Sequence, residues 1–435
     1  MLRKKLIKKI SDKKAKIGIV GVGYVGLSLA IGFAKKGFTV YGVDIDKKRV
    51  EKLLKNQSFV LEIPDSDIVR LRREKKLVIA SDFSVLRGLD AVIICVPTPL
   101  DSHKEPDTSF IAAAGESIAR YRRPGQIIVL QSTTYPGTTE KVLLPLFEVN
   151  GFKEGRDFFL AFAPERIDFG NKKFGLENTP KIVGGISAVS TEIARRLFAQ
   201  IIQTVIPVSN ARTAEMVKLL ENTFRLVNIG LANEIMLTCE KMGIDVWEVI
   251  EAAKTKPYGF MPFYPGPGIG GHCIPVDPLY LSSEARSYGL ESRFITTAYY
   301  LNLEMPGHVV RRIMEALNAR GKATKGASVL LMGVAYKKDT SDLRESPALE
   351  IIDTLLDRGA KVSYHDPYVP SLKTASGLLK SVPFSKETFK RADCVVIVAD
   401  HSKVDYKFVA QNSLLIVDTR NVLSGIKTRG HIVKI

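Results

Sequence analysis

Three glycines, in the run Gly21-Val22-Gly23-Tyr24-Val25-Gly26, restrict most severely what the front of this chain can fold into. They follow a short apolar run at 16–21 and open a stretch that reads as a helix. A second apolar run at 38–44 then ends on Asp44, 18 residues after Gly26. In that order the first glycine permits a tight turn, the second lets backbone approach a pyrophosphate, and the third lets helix and strand pack closely. The helix N-terminus faces the phosphates with its positive end. A carboxylate at Asp44 accepts from ribose hydroxyls and repels a 2′-phosphate, so the expected ligand is NAD rather than NADP. The plainer reading of Asp44 is a helix N-cap ahead of Lys47, Lys48 and Arg49.

Apolar runs at 91–96 and 127–133, separated by helical stretches, indicate a parallel sheet covered on both faces. The theme returns at 327–336, 361–366, 393–400 and 414–420. GVGY rhymes with GVAY, VYGVD with VSYHD, and AVIICVP with CVVIVAD, although the second set lacks the glycine spacing for a pyrophosphate. Between the two, Met216, Leu219, Leu220, Phe224, Val227 and Leu231 recur at three- and four-residue steps, predicting a long central helix over 211–250. A Pro/Gly-dense segment, 256–278, reads as a loop. The expected fold class is α/β: two Rossmann-like doubly wound parallel-sheet domains joined by a long central helix and a helical middle domain. The boundaries are a basic tail at 1–15, a dinucleotide domain at 16–210, a central domain at 211–318 and a C-terminal domain at 319–435.

Charge needs an account, because 63 Lys/Arg against 46 Asp/Glu leave a formal +17. The first sixteen residues hold eight Lys/Arg and one Asp, and read as a solvated, frayed tail. No nucleic-acid motif accompanies them, so no nucleic-acid partner is expected. Residues 17–34 carry no charge and mimic a membrane anchor, but their glycines suit a buried βαβ unit, so no membrane insertion is expected. Four cysteines, at 95, 239, 273 and 394, and six scattered histidines form neither a disulfide framework nor a metal pattern, which points to a reducing cytoplasm and no metal.

Cys273 differs from the other three, which lie in apolar strands or a helix where small buried hydrophobes are the default. It follows Gly266, Gly268, Gly270 and Gly271, so backbone amides are bare and the thiol accessible. A catalytic thiol and a structural glycine loop both remain open from spacing alone. His272 is adjacent, but neighbouring side chains usually point apart. A thiol beside a nicotinamide can hold an aldehyde as a thiohemiacetal and then as a thioester that water opens, making an acid from an alcohol. Lys218 and Asn222, four apart on the central helix, either stabilise an oxyanion or occupy a solvated face.

From residue 15 onward the chain resembles the UDP-glucose/GDP-mannose dehydrogenase family. The resemblance rests on KIGIVGVGYVGL, VPTPL, STTYPGT, APER, KLLENTF, GGHCIPVD and GVAYKKDTSDLRESP. It implies Cys273 as thioester nucleophile, with Lys218, Asn222 and Asp277 handling oxyanion and water, and Thr133 and Glu165 placing the hydrolytic water and assisting proton transfer. It also implies cofactor contacts from Tyr24, Val25, Arg49, Thr98, Thr133 and Arg344, beside the three glycines and Asp44. Substrate contacts fall on Glu165, Arg166, Lys218, Asn222, Tyr264, Gly270, Lys337 and Arg420, and homodimers or higher homo-oligomers form through the central helix. Val276 and Pro257 replace a Lys and an Arg usual in UDP-glucose members, while TKPYGFMPFYPGPG and PERID look like the UDP-N-acetylhexosamine branch. The favoured substrate is UDP-N-acetyl-D-glucosamine, ahead of UDP-N-acetyl-D-mannosamine and UDP-glucose. Two-electron 3-hydroxyacid-type dehydrogenases and a non-catalytic nucleotide-sugar binder are the alternatives from other classes.

Overall fold

A computed structural model describes residues 1–435 except 61, 102, 103, 169, 172 and 272. They form two compact units, Met1–Glu221 with Leu279–Leu290, and Asn222–Pro278 with Glu291–Ile435.

In the first unit β1 (Lys16–Val20), β2 (Thr39–Val43), β3 (Leu77–Ala80), β4 (Ala91–Ile94), β5 (Ile127–Leu130), β6 (Phe159–Phe162), β7 (Lys181–Gly185) and β8 (Val205–Pro207) make one sheet. Its order is β3-β2-β1-β4-β5-β6-β7-β8. Pairing is parallel throughout except between β6 and β7, among the described residues. Successive residues of β4 feed opposite cores, Ala91 and Ile93 one face and Val92 and Ile94 the other. A strand buried on both faces needs an unbroken apolar run, which is why these segments were readable. β3, β6, β7 and β8 escape such reading; β7 ends on Gly184 and Gly185, and β8 is only three residues long and ends on a proline.

The uncharged stretch 17–34 is divided between β1 and the twelve-residue helix Tyr24–Lys35. Among the described residues no helix is long and apolar enough to cross a membrane. The N-terminal segment corrects an expectation: Leu2–Ser11 is a helix, not a frayed tail. Leu6 and Ile10, one turn apart, are buried, and Lys9 Nζ lies 2.7 Å from Asp90. Two apolar side chains on one face suffice to dock a helix whose other faces are cationic.

In the second unit β9 (Ser328–Met332), β10 (Lys361–His365), β13 (Cys394–Ile397), β14 (Leu415–Asp418) and β15 (His431–Lys434) form a parallel sheet ordered β10-β9-β13-β14-β15; β11 (Ser371–Thr374) and β12 (Gly377–Lys380) make an antiparallel hairpin. The central helix runs Ala211–Met242 and stops at Gly243, whose φ of +71° ends it; the helix Val246–Ala253 follows, so the periodicity through 250 belongs to two helices.

Near the start of the central helix Glu215 is fully buried and accepts from Gly137 N (2.5 Å), Thr139 N (2.9 Å) and Thr139 Oγ1 (2.6 Å). Burial pushes its carboxyl up to about 7 in spite of those donors. A carboxyl that binds its proton more tightly when folded stabilises fully below the ordinary value of 4.5 and loses that contribution as pH rises through about 7. The melting temperature should therefore carry a falling component between pH 4.5 and 7 that Glu215→Gln removes; an unchanged slope in the variant would show that Glu215 is ionised throughout.

Candidate active site

The glycine turn has the geometry that its spacing demands. A Cβ at Gly26 would sit 1.9 Å from the Gly21 carbonyl oxygen, and one at Gly21, where φ is +90°, would sit 2.6 Å from the Cys95 carbonyl oxygen. At Gly23 nothing lies within 4 Å, so the backbone there is open to a ligand. Gly23 caps the helix that begins Tyr24-Val25, whose first-turn amides face outward as a dinucleotide phosphate requires. Asp44 is buried; its Oδ2 accepts from Val22 N (2.8 Å) and Arg49 Nη1 (2.8 Å), and its Oδ1 from Asp46 N (2.9 Å). These leave about one of its four lone-pair positions for a ribose hydroxyl. The N-cap of the following helix is Asp46, not Asp44, which removes the plainer reading. The residues thus fit a dinucleotide.

Further along this unit, Thr98 is buried and its carbonyl accepts from the Tyr280 hydroxyl. Thr133 lies just beyond β5 and is partly buried. Glu165, three residues beyond β6, accepts four hydrogen bonds: Arg166 N (2.8 Å) and Ile167 N (2.9 Å) on Oε1, Gln131 Nε2 (2.6 Å) and Lys181 Nζ (3.1 Å) on Oε2. Lys218 is nearly buried, 7% exposed. Arg166, expected at substrate, is committed to the Glu221 carboxylate (2.6 Å) and the Pro180 carbonyl (2.6 Å).

In the second unit Cys273 is exposed and is the first residue of the helix Cys273–Ser287, which corrects the expected loop through 278. Pro275 and Pro278 hid the helix from sequence reading, although proline is tolerated in a first turn. A helix start presents unpaired N–H groups and the positive end of the dipole, an environment suited to a nucleophilic thiolate. His272 lies outside the described residues. One turn along, Asp277 is buried and its Oδ2 accepts from Asn222 Nδ2, while Asn222 Oδ1 accepts from Arg225. Arg225, one helical turn after Asn222, is a residue that sequence reading missed.

The glycine segment ahead of Cys273 is held from several sides. Gly266 N donates to Asn233 Oδ1 (2.9 Å), Ile269 N to Asn302 Oδ1 (2.5 Å), and Gly271 N to the Arg344 carbonyl (2.9 Å). A Cβ at Gly270 would lie 2.5 Å from the Glu345 carbonyl oxygen, and one at Gly271 2.7 Å from the Tyr336 ring. The Arg344 guanidinium, its pKa raised chiefly by the hydrogen-bonded pair with Asp342, also feels the Cys273 sulfur electrostatically. Arg420 donates to the Val398 carbonyl (2.8 Å) and reaches Gly266, where a Cβ would lie 2.8 Å from Nη1. Lys337 Nζ stands 5.8 Å from the Tyr336 ring centroid. Tyr264 stacks on Trp247 (5.7 Å) and donates to Glu251 (2.8 Å). Arg344 and Arg420 therefore reach the glycine segment, Lys337 stands beside the Tyr336 ring that packs on it, and Tyr264 is occupied by its own stack. Among the described residues no group of His, Cys, Asp and Glu could hold a metal ion.

Compared with known families, residues 15–202 match the UDP-glucose/GDP-mannose dehydrogenase NAD binding domain, 212–304 the central domain and 330–425 the UDP binding domain. A UDP-N-acetyl-D-mannosamine dehydrogenase of Pyrococcus horikoshii is 37% identical over 420 residues, spanning 94% of this chain and 96% of that protein. A UDP-N-acetyl-D-glucosamine 6-dehydrogenase of Pseudomonas aeruginosa is 36% identical over 393 residues, spanning 90% and 92%. A solved structure of a UDP-D-ManNAc dehydrogenase from Pyrococcus horikoshii is similar with a TM-score of 0.86 at 34% identity, covering 97% of this chain and 99% of that one.

Asp44→Ala should weaken NADH binding about tenfold, the loss of one charged hydrogen bond, and narrow the preference over NADPH. Fluorescence titration with both cofactors measures it, and an unchanged preference would place the ribose elsewhere.

Proposed function

Because the chain belongs to the UDP-glucose/GDP-mannose dehydrogenase family, we propose that it oxidises the C6 hydroxyl of a UDP-N-acetylhexosamine to a carboxylate through a thioester on Cys273. The observation that carries this reading is Cys273 itself, an exposed thiol on the first residue of a helix behind a tightly held glycine segment. NAD, when bound, accepts one hydride at each of the two oxidation levels. The first oxidation turns the alcohol into an aldehyde and releases a proton. The Cys273 thiolate adds to the aldehyde carbon, forming the C–S bond and a tetrahedral oxyanion; loss of the second hydride leaves the thioester. Water then attacks, the C–S bond breaks, and the carboxylate leaves as the thiol is restored.

Lys218 and Asn222 share one helix face and are assigned to the oxyanion, an ammonium by charge and an amide by hydrogen bond. Asp277 keeps the Asn222 NH2 group facing its own carboxylate. Thr133 and Glu165 are assigned to the hydrolytic step, and Lys337 and Arg420 to the sugar nucleotide.

On the sugar, the relatives shift the emphasis. Mannosamine dehydrogenases recur among them more often than glucosamine dehydrogenases, at similar identity. We therefore carry the N-acetylhexosamine class forward with the manno epimer as first candidate and the gluco epimer second, in place of the order that the sequence suggested. Val276, one basis for setting UDP-glucose behind the N-acetylhexosamines, is buried in the cysteine helix.

A homodimer in the cytoplasm completes the proposal. On the central helix Met216, Leu220, Phe224, Leu231 and Ile235 are all 40% or more exposed. At about 100° per residue they fall within one stripe about 100° wide, the mark of a helix that expects a partner.

NADH release measured beside UDP-N-acetyl-D-mannosamine, UDP-N-acetyl-D-glucosamine, UDP-glucose and UDP-galactose should show turnover with an N-acetylhexosamine, and two NADH per sugar. Cys273→Ser should stop short of the acid; one NADH per sugar with an accumulating aldehyde, or normal acid from that variant, would refute the thioester. Leu220→Asp with Phe224→Asp should halve the mass seen by light scattering, and an unaltered mass would move the interface away from this stripe.

A further inference from the structure

The buried cluster behind Glu165 contains two groups with no assigned part. Cys95 follows β4, Gln131 follows β5, Glu165 lies three residues beyond β6, and Lys181 is the first residue of β7. β7 runs antiparallel to β6, with Phe162 opposite Gly184 and Ala161 opposite Gly185. Continuing that register three residues past Phe162 and three before Gly184 sets Glu165 directly opposite Lys181. A parallel β7 would have carried its first residue to the other end of the sheet.

Lys181 is 2% exposed, with Nζ 3.1 Å from Glu165 Oε2 and 5.2 Å from the Phe198 ring centroid. Gln131 is equally buried; its NH2 group faces Glu165, and its Oε1 is left buried with no partner. An amide that accepts such a cost is held there by the carboxylate it serves. With two backbone amides on Oε1, the four lone-pair positions of Glu165 are all taken.

We propose that Lys181, aided by Gln131, is a positioning residue that keeps Glu165 an ionised carboxylate fixed in one place across the working pH range. Burial alone would raise the Glu165 carboxyl, but the Lys181 ammonium and the Ile167 and Arg166 amides overcome it and hold it below the ordinary carboxylate range. The other ionisable neighbours do not compete for the proton. Burial pushes the Cys95 thiol up to about 12, the Lys218 ammonium acts on the cluster as a second positive charge, and Arg166 is turned to Glu221.

The inference rests on the assignment of Glu165 to the reaction, and the test separates the two. The full-length enzyme and its variants Lys181→Met, Glu165→Gln and the double variant are compared in kcat from pH 5 to 9 and in melting temperature. Removing the ammonium leaves a buried carboxylate uncompensated, so Lys181→Met should acquire an acid limb falling about tenfold per pH unit, with KM changed little. Glu165→Gln should lower kcat at every pH without altering the profile. A wild-type ionisation that Glu165→Gln abolishes, or a Lys181→Met profile that overlies the wild type, would overturn the proposal. Should Lys181→Met fold poorly, the double variant should melt higher than it, since no lone charge remains; equal melting temperatures would again overturn the pairing. Full activity of Glu165→Gln alongside that rescue would instead remove Glu165 from the reaction while leaving the pair intact.

Discussion

In both halves of the chain the carboxylate that closes the second strand is hydrogen-bonded to the backbone of the first turn. Asp44 accepts from Val22 N, and Asp366 from Val334 N, both at 2.8 Å. Each bond fixes a tight turn against its neighbouring strand. The turn glycines could not carry a side chain there, since a Cβ at Gly21 would strike the Cys95 carbonyl and one at Gly333 the Ala399 carbonyl. The same device has been put to different ends. Asp44 keeps acceptor capacity, whereas Asp366 also accepts from Ala335 N, Tyr368 N, Val369 N and His401 Nε2 and lies wholly inside. A carboxylate so surrounded cannot reach a ribose. The second turn therefore works as structure, and the proposed ligand contacts of this half, Lys337, Arg344 and Arg420, all lie beyond it.

The cysteine segment depends on a comparable economy of backbone space. Gly270 and Gly271 press against Glu345 and Tyr336 so closely that any Cβ would force them apart. Asn233 and Asn302, both buried, satisfy the amides of Gly266 and Ile269 with side-chain oxygens. An irregular segment inside a protein must find such partners for its backbone. The result is a segment leading to Cys273 that is fixed by hydrogen bonds from two helices and one loop, as the proposed nucleophile would need for a reproducible attack distance.

What could be read in advance follows from what carries local signal. Strands buried on both faces announce themselves as Val/Ile runs, and the glycine turn as spacing, so β1, β2, β4, β5, β9, β10, β13 and β14 were legible, whereas β15, His431–Lys434, was not. Cys273 stood out because nothing in packing required it. The helix that begins at Cys273 was not legible, since Pro275 and Pro278 signal a break. Docking of Leu2–Ser11 was masked by its cations, although Leu6 and Ile10 hold it. Arg225, Asn233 and Asn302 look like ordinary helix polar residues until the chain is folded. Lys181 is the extreme case, because a lone lysine before an apolar IVGG reads as a strand edge facing water, and only the reversal of β7 turns it inward.

That reversal is hard to explain by stability alone. A buried ion pair returns little net free energy, because desolvating two charges costs about as much as their attraction restores, and apolar replacements of equal volume are often as stable. Phe198 already supplies an apolar face at this point, in the same core as Val183 and Ala161. A lysine retained there, with a glutamine turned toward the same carboxylate at the expense of its own oxygen, is better understood as the means of keeping a negative charge at one fixed place. The strand ends of a doubly wound sheet are where ligands bind. A charge fixed at that edge, away from bulk water, exerts a stronger field on a reacting group than a mobile surface carboxylate can, and does so without reorganisation as the reaction proceeds.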